Sequence, residues 1–256
     1  MPNTTGSLTF SYDPNTGLET VTVDANNNGT PEFTETFNPV TGVITSQSVN
    51  PTDTPGGDIP VPVCFLAGTL IATPNGSAPI ETLKPGDVVL TANGEMPVRW
   101  VGRQTISKTF ADPLRTMPVC IKAGALGENL PSRDLYASPS HAFFVDGVLA
   151  EIGALVNGIS IIRHTAMPET FMYFNIELSE HALMFAEGVS VETFVDNVSR
   201  ENFDNWAEHE AVIEAAPIIE MDLPRAKSQR QIPSAILQRL NAIAVTLARD
   251  PIAVAA

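Results

Sequence analysis

Five turn signals, Asn75-Gly76, Pro85-Gly86-Asp87, Asn93-Gly94, Asp146-Gly147 and Asn157-Gly158, punctuate the middle of this chain and constrain its fold more than any other feature. Pairs of this kind accept the backbone dihedrals that tight hairpins demand. The runs between them are short and β-forming: 69–73, 87–91, 98–101, 119–121, 142–145, 159–162, 171–178 and 182–185. Short strands at close spacing predict an all-β, curled architecture. The punctuation also echoes itself. Asn75-Gly76 followed by Ile80, Leu83 and Gly86 parallels Asp146-Gly147 followed by Ile152, Leu155 and Gly158, a faint sign of internal duplication.

At 256 residues the chain holds either one large all-β domain or two smaller ones, and the pattern divides it into two units and a tail. Residues 1–48 read as a β-hairpin module in which Asp13-Pro14-Asn15-Thr16-Gly17 recurs as Asn38-Pro39-Val40-Thr41-Gly42. Within it, residues 24–35 satisfy the calcium-loop pattern D-x-[DN]-x-[DN]-G-x5-E, with Asp24, Asn26, Asn28, Glu32 and Glu35 as candidate oxygen ligands. The flanks are strand-like, so an ion here would sit in a hairpin loop, and a solvated Asn/Gly turn is the alternative. Residues 49–63 carry four prolines and a Gly-Gly pair and form a linker. Pro60 and Pro62 bias the residues before them toward extended backbone.

Residues 195–256 differ in character: acidic through Glu220, locally basic from Arg225 to Arg230, then helical from Ser234 to Asp250. Ile236, Leu240, Ile243 and Leu247 make one apolar stripe, which predicts docking onto the β unit or onto a second copy. Lys and Arg total 14 against 29 Asp and Glu, a net charge of −15 that repels phosphate backbones and anionic membrane surfaces. Nucleic acid is therefore excluded as a partner class. No run of 18 apolar residues predicts a membrane span, and the N-terminus lacks a secretory signal pattern. The chain is expected either at the surface or outside the cell by another export route, or in the cytoplasm. Its two cysteines do not make a disulfide framework, although a Cys64–Cys120 bridge is one arrangement open to them.

Cys64 lies where the linker gives way to the strand-rich region. A thiol that opens a folded unit on an extended, accessible peptide is placed to attack the carbonyl of the residue before it, Val63. Three runs then carry a family resemblance: Cys64-Phe65-Leu66-Ala67-Gly68-Thr69, the stretch from Ile80 to Val89, and Ser138-Pro139-Ser140-His141. Together they resemble the Hint family of hedgehog autoprocessing domains and inteins, most closely its bacterial members. Those members share runs similar to 123–126, 130–135 and 186–188. The resemblance spans residues 64–194 and implies a pseudo-twofold, horseshoe-shaped β fold, preceded by the hairpin module and followed by the C-terminal helix.

Its implied first step is an N-to-S acyl shift at the Val63–Cys64 scissile bond. A free thiol titrates near ~8.5 and needs help to ionise. The departing nitrogen needs a proton, and distorting the amide costs on the order of 1–3 kcal/mol. The resemblance assigns the acid role to His141 and a polarising hydroxyl to Ser138, which stands where threonine is usual, and matches His181 to a later histidine-bearing block. Departures from the pattern limit the chemistry. Glu192-Thr193 occupies the place of the His-Asn pair that completes splicing, so cleavage without splicing is expected. Asn175 stands where many inteins have aspartate, and Asp134 is the candidate substitute. The substrate is the chain's own N-terminal segment, the acceptor is water, a thiol or an amine, and no cofactor is required beyond the calcium alternative. A silent structural or adhesive protein of the cell surface is the second reading. A cysteine hydrolase acting on other molecules fits less well, because the nucleophile adjoins its own linker.

Overall fold

The computed structural model describes residues 7–16, 18–24, 33–37, 44–49, 63–109, 111–196, 199–210 and 217–249. It divides into two compact units, Met1–Ile59 and Pro60–Ala256. In the first, β1 (Ser7–Asp13), β2 (Leu18–Asp24), β3 (Phe33–Phe37) and β4 (Ile44–Val49) form an antiparallel sheet in sequence order. The first turn is set by Asp13, whose carboxylate accepts hydrogen bonds from the Asn15 N–H and the Thr16 hydroxyl. Asp24 ends β2 and Glu35 lies within β3, whereas Asn26, Asn28 and Glu32 lie outside the described residues, and the calcium expectation lies there with them. So does the linker from 50 to 62.

The second unit is built from two sheets. One has six strands in the order β10-β16-β5-β12-β11-β15, where β5 is Phe65–Leu66, β10 is Trp100–Ser107, β11 is Val119–Ile121, β12 is Leu135–Ala137, β15 is Ile161–Arg163 and β16 is Thr170–Glu177. The other runs β19-β14-β13-β18-β17-β6-β7. Its strands are β6 (Leu70–Thr73), β7 (Gly76–Pro79), β13 (Ala142–Val145), β14 (Val148–Glu151), β17 (Leu183–Ala186), β18 (Val189–Glu192) and β19 (Arg225–Ala226). A hairpin of β8 (Val88–Thr91) and β9 (Gly94–Pro97) joins this sheet through β17. Helices are few: α1 (Pro113–Thr116), α2 (Trp206–Glu210) and α3 (Ser234–Arg249).

The echo in the turn signals has a structural counterpart. The β6–β7 hairpin runs into a 3-10 turn at Ile80–Thr82, and the β13–β14 hairpin runs into one at Ile152–Leu155. Ile80 and Ile152 occupy corresponding places and are both fully buried. Asp146 and Gly147, both with positive φ, close the second hairpin as their residue types favour.

Several of the family-like runs meet in one lock. The Arg133 guanidinium pairs with Glu187 at 2.6 Å and donates to the Gly68 carbonyl at 2.9 Å, while Glu187 also accepts the Leu70 N–H at 2.8 Å. Glu81 accepts the Gly68 N–H at 2.7 Å. These residues hold the chain around the bend that follows β5. Opposite faces of the six-stranded sheet then serve two cores. Phe65, Phe174 and Ile176 enter the main cluster, and Cys64, Trp100, Ile106, Phe171 and Tyr173 enter a second one.

α3 ends within a residue of its expected position. Ile236 and Leu240 are buried in the main cluster, and Leu247 packs against it. Arg239 donates to the Leu126 carbonyl and pairs with Asp146 at 3.0 Å. The stripe thus docks on its own β unit. No helix among the described residues is long and apolar enough to cross a membrane.

Candidate functional site

Cys64 immediately precedes β5, and sheet register supplies its neighbours. Phe65 lies opposite Ala137 on one side and Phe174 on the other. Continued by one residue, both registers place Cys64 between Ser138 and Asn175. The Ser138 side is held by two hydrogen bonds: the Cys64 N–H donates to the Ser138 hydroxyl at 2.9 Å, and the Ser138 N–H donates to the Cys64 carbonyl at 2.8 Å. The nitrogen of the expected scissile bond is therefore gripped by the expected hydroxyl.

His141 approaches from the same loop, one turn on, its N–H tied to the Ser138 carbonyl at 3.0 Å. Its ring lies against Phe65, with centroids 4.1 Å apart, and is fully buried. Nδ1 is 3.2 Å from the Cys64 carbonyl oxygen and Nε2 is 3.0 Å from that of Glu192. The sequence assigned His141 to the scissile nitrogen. In the structure Ser138 holds that nitrogen, and the histidine faces the carbonyl one peptide downstream. Two acceptors face two ring nitrogens, so a neutral imidazole, with one N–H, satisfies only one of them. Burial pushes the His141 pKa down, against the opposing pull of the Glu192 carboxylate and the two carbonyls.

The thiol differs from expectation in exposure. Val63 and Cys64 are buried, at 4% and 0% exposure, and the sulfur enters an apolar cluster with Trp100, Met117, Tyr173, Phe194 and Phe203. An accessible peptide was expected because Pro60 and Pro62 keep the approach extended. Extended backbone, however, is also what enters a sheet. Desolvation pushes the Cys64 thiol well above its ordinary range. Both cysteines are free, so no Cys64–Cys120 bridge forms; Cys120 lies buried in β11.

His181 joins a network that sequence reasoning registered only as a departure. The Glu192 carboxylate is fully buried. It accepts the Ala142 N–H at 2.7 Å, pairs with His181 Nε2 at 3.2 Å and takes both terminal nitrogens of Arg225. The Met221 N–H donates to His181 Nδ1 at 3.0 Å, which places the ring's hydrogen on Nε2, toward Glu192. Burial alone would raise the Glu192 pKa; hydrogen bonds from His181 and Arg225, with the charges of His141 and Arg225, hold it down to about 2. His141 and His181 thus meet at Glu192, one through its carbonyl and the other through its carboxylate. Arg225 arrives on β19, a two-residue strand parallel to β14, and its basic surroundings carry no strand pattern by which it could have been foreseen.

Asp134 is not brought to Cys64. Its carboxylate accepts the Ala123 N–H at 2.9 Å and braces the β11–β12 connection. His209, which no motif singled out, reaches buried Glu177 at 3.0 Å, beside an Arg200–Glu177 pair at 2.7 Å. Among the described residues no group of His, Cys, Asp or Glu is arranged to hold a metal ion.

Comparison with known proteins places these residues in context. The sequence family described as Hint domain matches residues 63–198, more than half of the chain. No curated protein matches it. Among solved structures, similarity is found to the gp41-1 intein (17% identity, TM-score 0.36, covering 51% of this chain and 98% of the intein). A DnaB intein from Synechocystis sp. PCC 6803 gives 14% identity and a TM-score of 0.37, covering 52% of this chain and 99% of the intein. A bacterial intein-like domain from Clostridium thermocellum gives 13% and 0.33, covering 51% of this chain and 98% of that domain.

Proposed function

The chain belongs to the Hint domain family, whose fold is a self-processing one, and from that premise we propose that it cleaves itself on the N-terminal side of Cys64 without splicing. The Cys64 sulfur attacks the Val63 carbonyl carbon, the Val63–Cys64 C–N bond breaks, and the acyl group passes from nitrogen to sulfur. The observation that carries this reading is the hydrogen bond from the Cys64 N–H to Ser138. It fixes the departing nitrogen while the thiol of the same residue approaches the carbonyl beside it, in the manner of an oriented intramolecular reaction.

His141 supplies the proton economy. Accepting the proton that the thiol loses turns the ring into an imidazolium, which satisfies the carbonyls of both Cys64 and Glu192. The ring then returns that proton to the departing nitrogen. Val63 carries the thioester until an acceptor takes it, and residues 1–63 leave as the released segment. Nothing in this scheme regenerates a peptide bond, because Glu192-Thr193 stands where a splicing protein closes its cycle.

Expression of the full chain beside Cys64→Ala, followed by intact-mass measurement with and without hydroxylamine, tests the reading. The wild type is expected to yield residues 1–63, the variant none. A wild-type chain that stays whole under both conditions overturns it.

A further inference from the structure

Two buried amides on the sheet face that carries Cys64 are unused by this chemistry. On β10 and β16, Gly102 lies opposite Asn175 and Gln104 lies opposite Tyr173. Residues directly opposite share a face, so Gln104 and Asn175 lie on the face that carries Cys64 and Tyr173. Gln104 is 2% exposed and Asn175 1%. Neither end of either amide has a hydrogen-bond partner among the described residues. Leaving one such group unmet costs about 1–3 kcal/mol, and here there are four. By register Asn175 is the cross-strand neighbour of Cys64, and Gln104 is diagonal to Asn175, with Cβ atoms somewhat under about 7–8 Å apart.

We propose that Gln104 and Asn175 hold the water that hydrolyses the Val63 thioester, making water the acceptor of the reaction. The inference rests on the self-processing reading and deepens it. A buried water typically makes about three hydrogen bonds to otherwise unmet polar groups, and it both donates and accepts, as the paired amides do. A cationic amine or a thiolate would have to shed its hydration to enter a cluster formed by Trp100, Phe194 and Phe203. In the step itself the water oxygen bonds to the Val63 carbonyl carbon and the carbon–sulfur bond breaks. One water proton ends on the Cys64 sulfur. Val63 leaves as a carboxylic acid that ionises to solvent, and Cys64 keeps the α-amino group freed by the acyl shift.

Full-length wild type, Gln104→Leu and Asn175→Leu are incubated in ¹⁸O-labelled water, with and without hydroxylamine, and the 1–63 fragment is weighed. Replacing an amide that has no protein partner by an apolar side chain of similar size leaves the fold intact. Expected from wild type is a free acid carrying one ¹⁸O. Each variant should release it at least tenfold more slowly, while hydroxylamine still yields the Val63 hydroxamate, which reports an intact fold and thioester. Release of free acid by both variants at the wild-type rate overturns the water site, as does a wild-type fragment that leaves without ¹⁸O. A wild-type chain that stays whole both with and without hydroxylamine removes the self-processing reading and the water site together. The ¹⁸O arm on wild type tests water as the acceptor, and the variant rates, read only where hydroxamate still forms, test the two amides as its holders.

Discussion

Ser138 and Glu192 show how much a single side chain decides here. Ser138→Ala removes the acceptor of the Cys64 N–H in a fully buried setting. It is expected to cost about 1–3 kcal/mol of stability in urea titration and to slow fragment release roughly tenfold or more by time-resolved mass measurement. Glu192 acts on stability through pH. Its folded pKa, about 2, lies below the ordinary value of 4.5, so its contribution is fully present above about pH 5 and is lost as pH falls from there toward 2. The difference corresponds to roughly 3 kcal/mol. Chemical denaturation from pH 6 down to pH 3 should show this slope. Glu192→Gln should flatten it while destabilising the protein by about 3 kcal/mol at pH 7, because Arg225 loses its buried counter-charge and keeps only the half-exposed Glu220. Cys64, Ser138 and His141 were legible from their motif, and the structure gathers them. That Ser138 meets the Cys64 nitrogen and His141 the Cys64 carbonyl was not, since which atom a side chain meets depends on the path of the loop between them. Glu192 was visible only as an exception, because its partners lie 11 and 33 residues away in sequence.

Among the elements, the hairpins were readable because their turn residues carry their own conformational reason, as Asp146-Gly147 does with two positive φ values. α3 was readable from its apolar stripe. β19 was not, for a two-residue strand has no period, and only its parallel partner β14 creates it. The α3 contact can be measured. Leu240 is 1% exposed within the main core, and Leu240→Ala is expected to lower unfolding free energy by about 2–5 kcal/mol, through lost transfer energy and the cavity it leaves. A change below ~1 kcal/mol would mean that the helix contributes little to the unit. Gly102 explains the closeness of another element. A Cβ there would lie 2.6 Å from the Phe203 ring, so the 3-10 turn of Arg200–Asn202 can bring Phe203 down onto β10 only because that strand has no side chain at this point.

At the scale of the whole molecule, the matched family region and the folded unit do not coincide. The match stops at residue 198, yet Arg225, β19 and α3 all contribute to the second unit. A chain ended at residue 198 is therefore expected to unfold at markedly lower urea than one that keeps residues 199–249, with the buried Glu192 left without Arg225 and held by His181 and the Ala142 N–H alone. Charge is divided unevenly as well. Residues 1–63 hold seven Asp and Glu and no Lys or Arg, a formal −7, which leaves −15 + 7 = −8 for the rest. Both products of the proposed cleavage would be anionic, and their mutual repulsion would oppose re-association.

The short β5 carries a last consequence. Flanked by β16 and β12, it holds the residue at its head from both sides by pairings that do not involve Val63. In the proposed acyl shift the freed amine and the thioester would then face each other at an effective concentration on the order of 10⁵ M, as oriented groups do. On the proposed mechanism the acyl group would therefore shuttle back and forth before it departs. A molecule that works in this way is a clock rather than a trigger. Its precursor would age at a rate set by how rarely capture beats return, and slowing capture alone would lengthen its life without touching the shuttle.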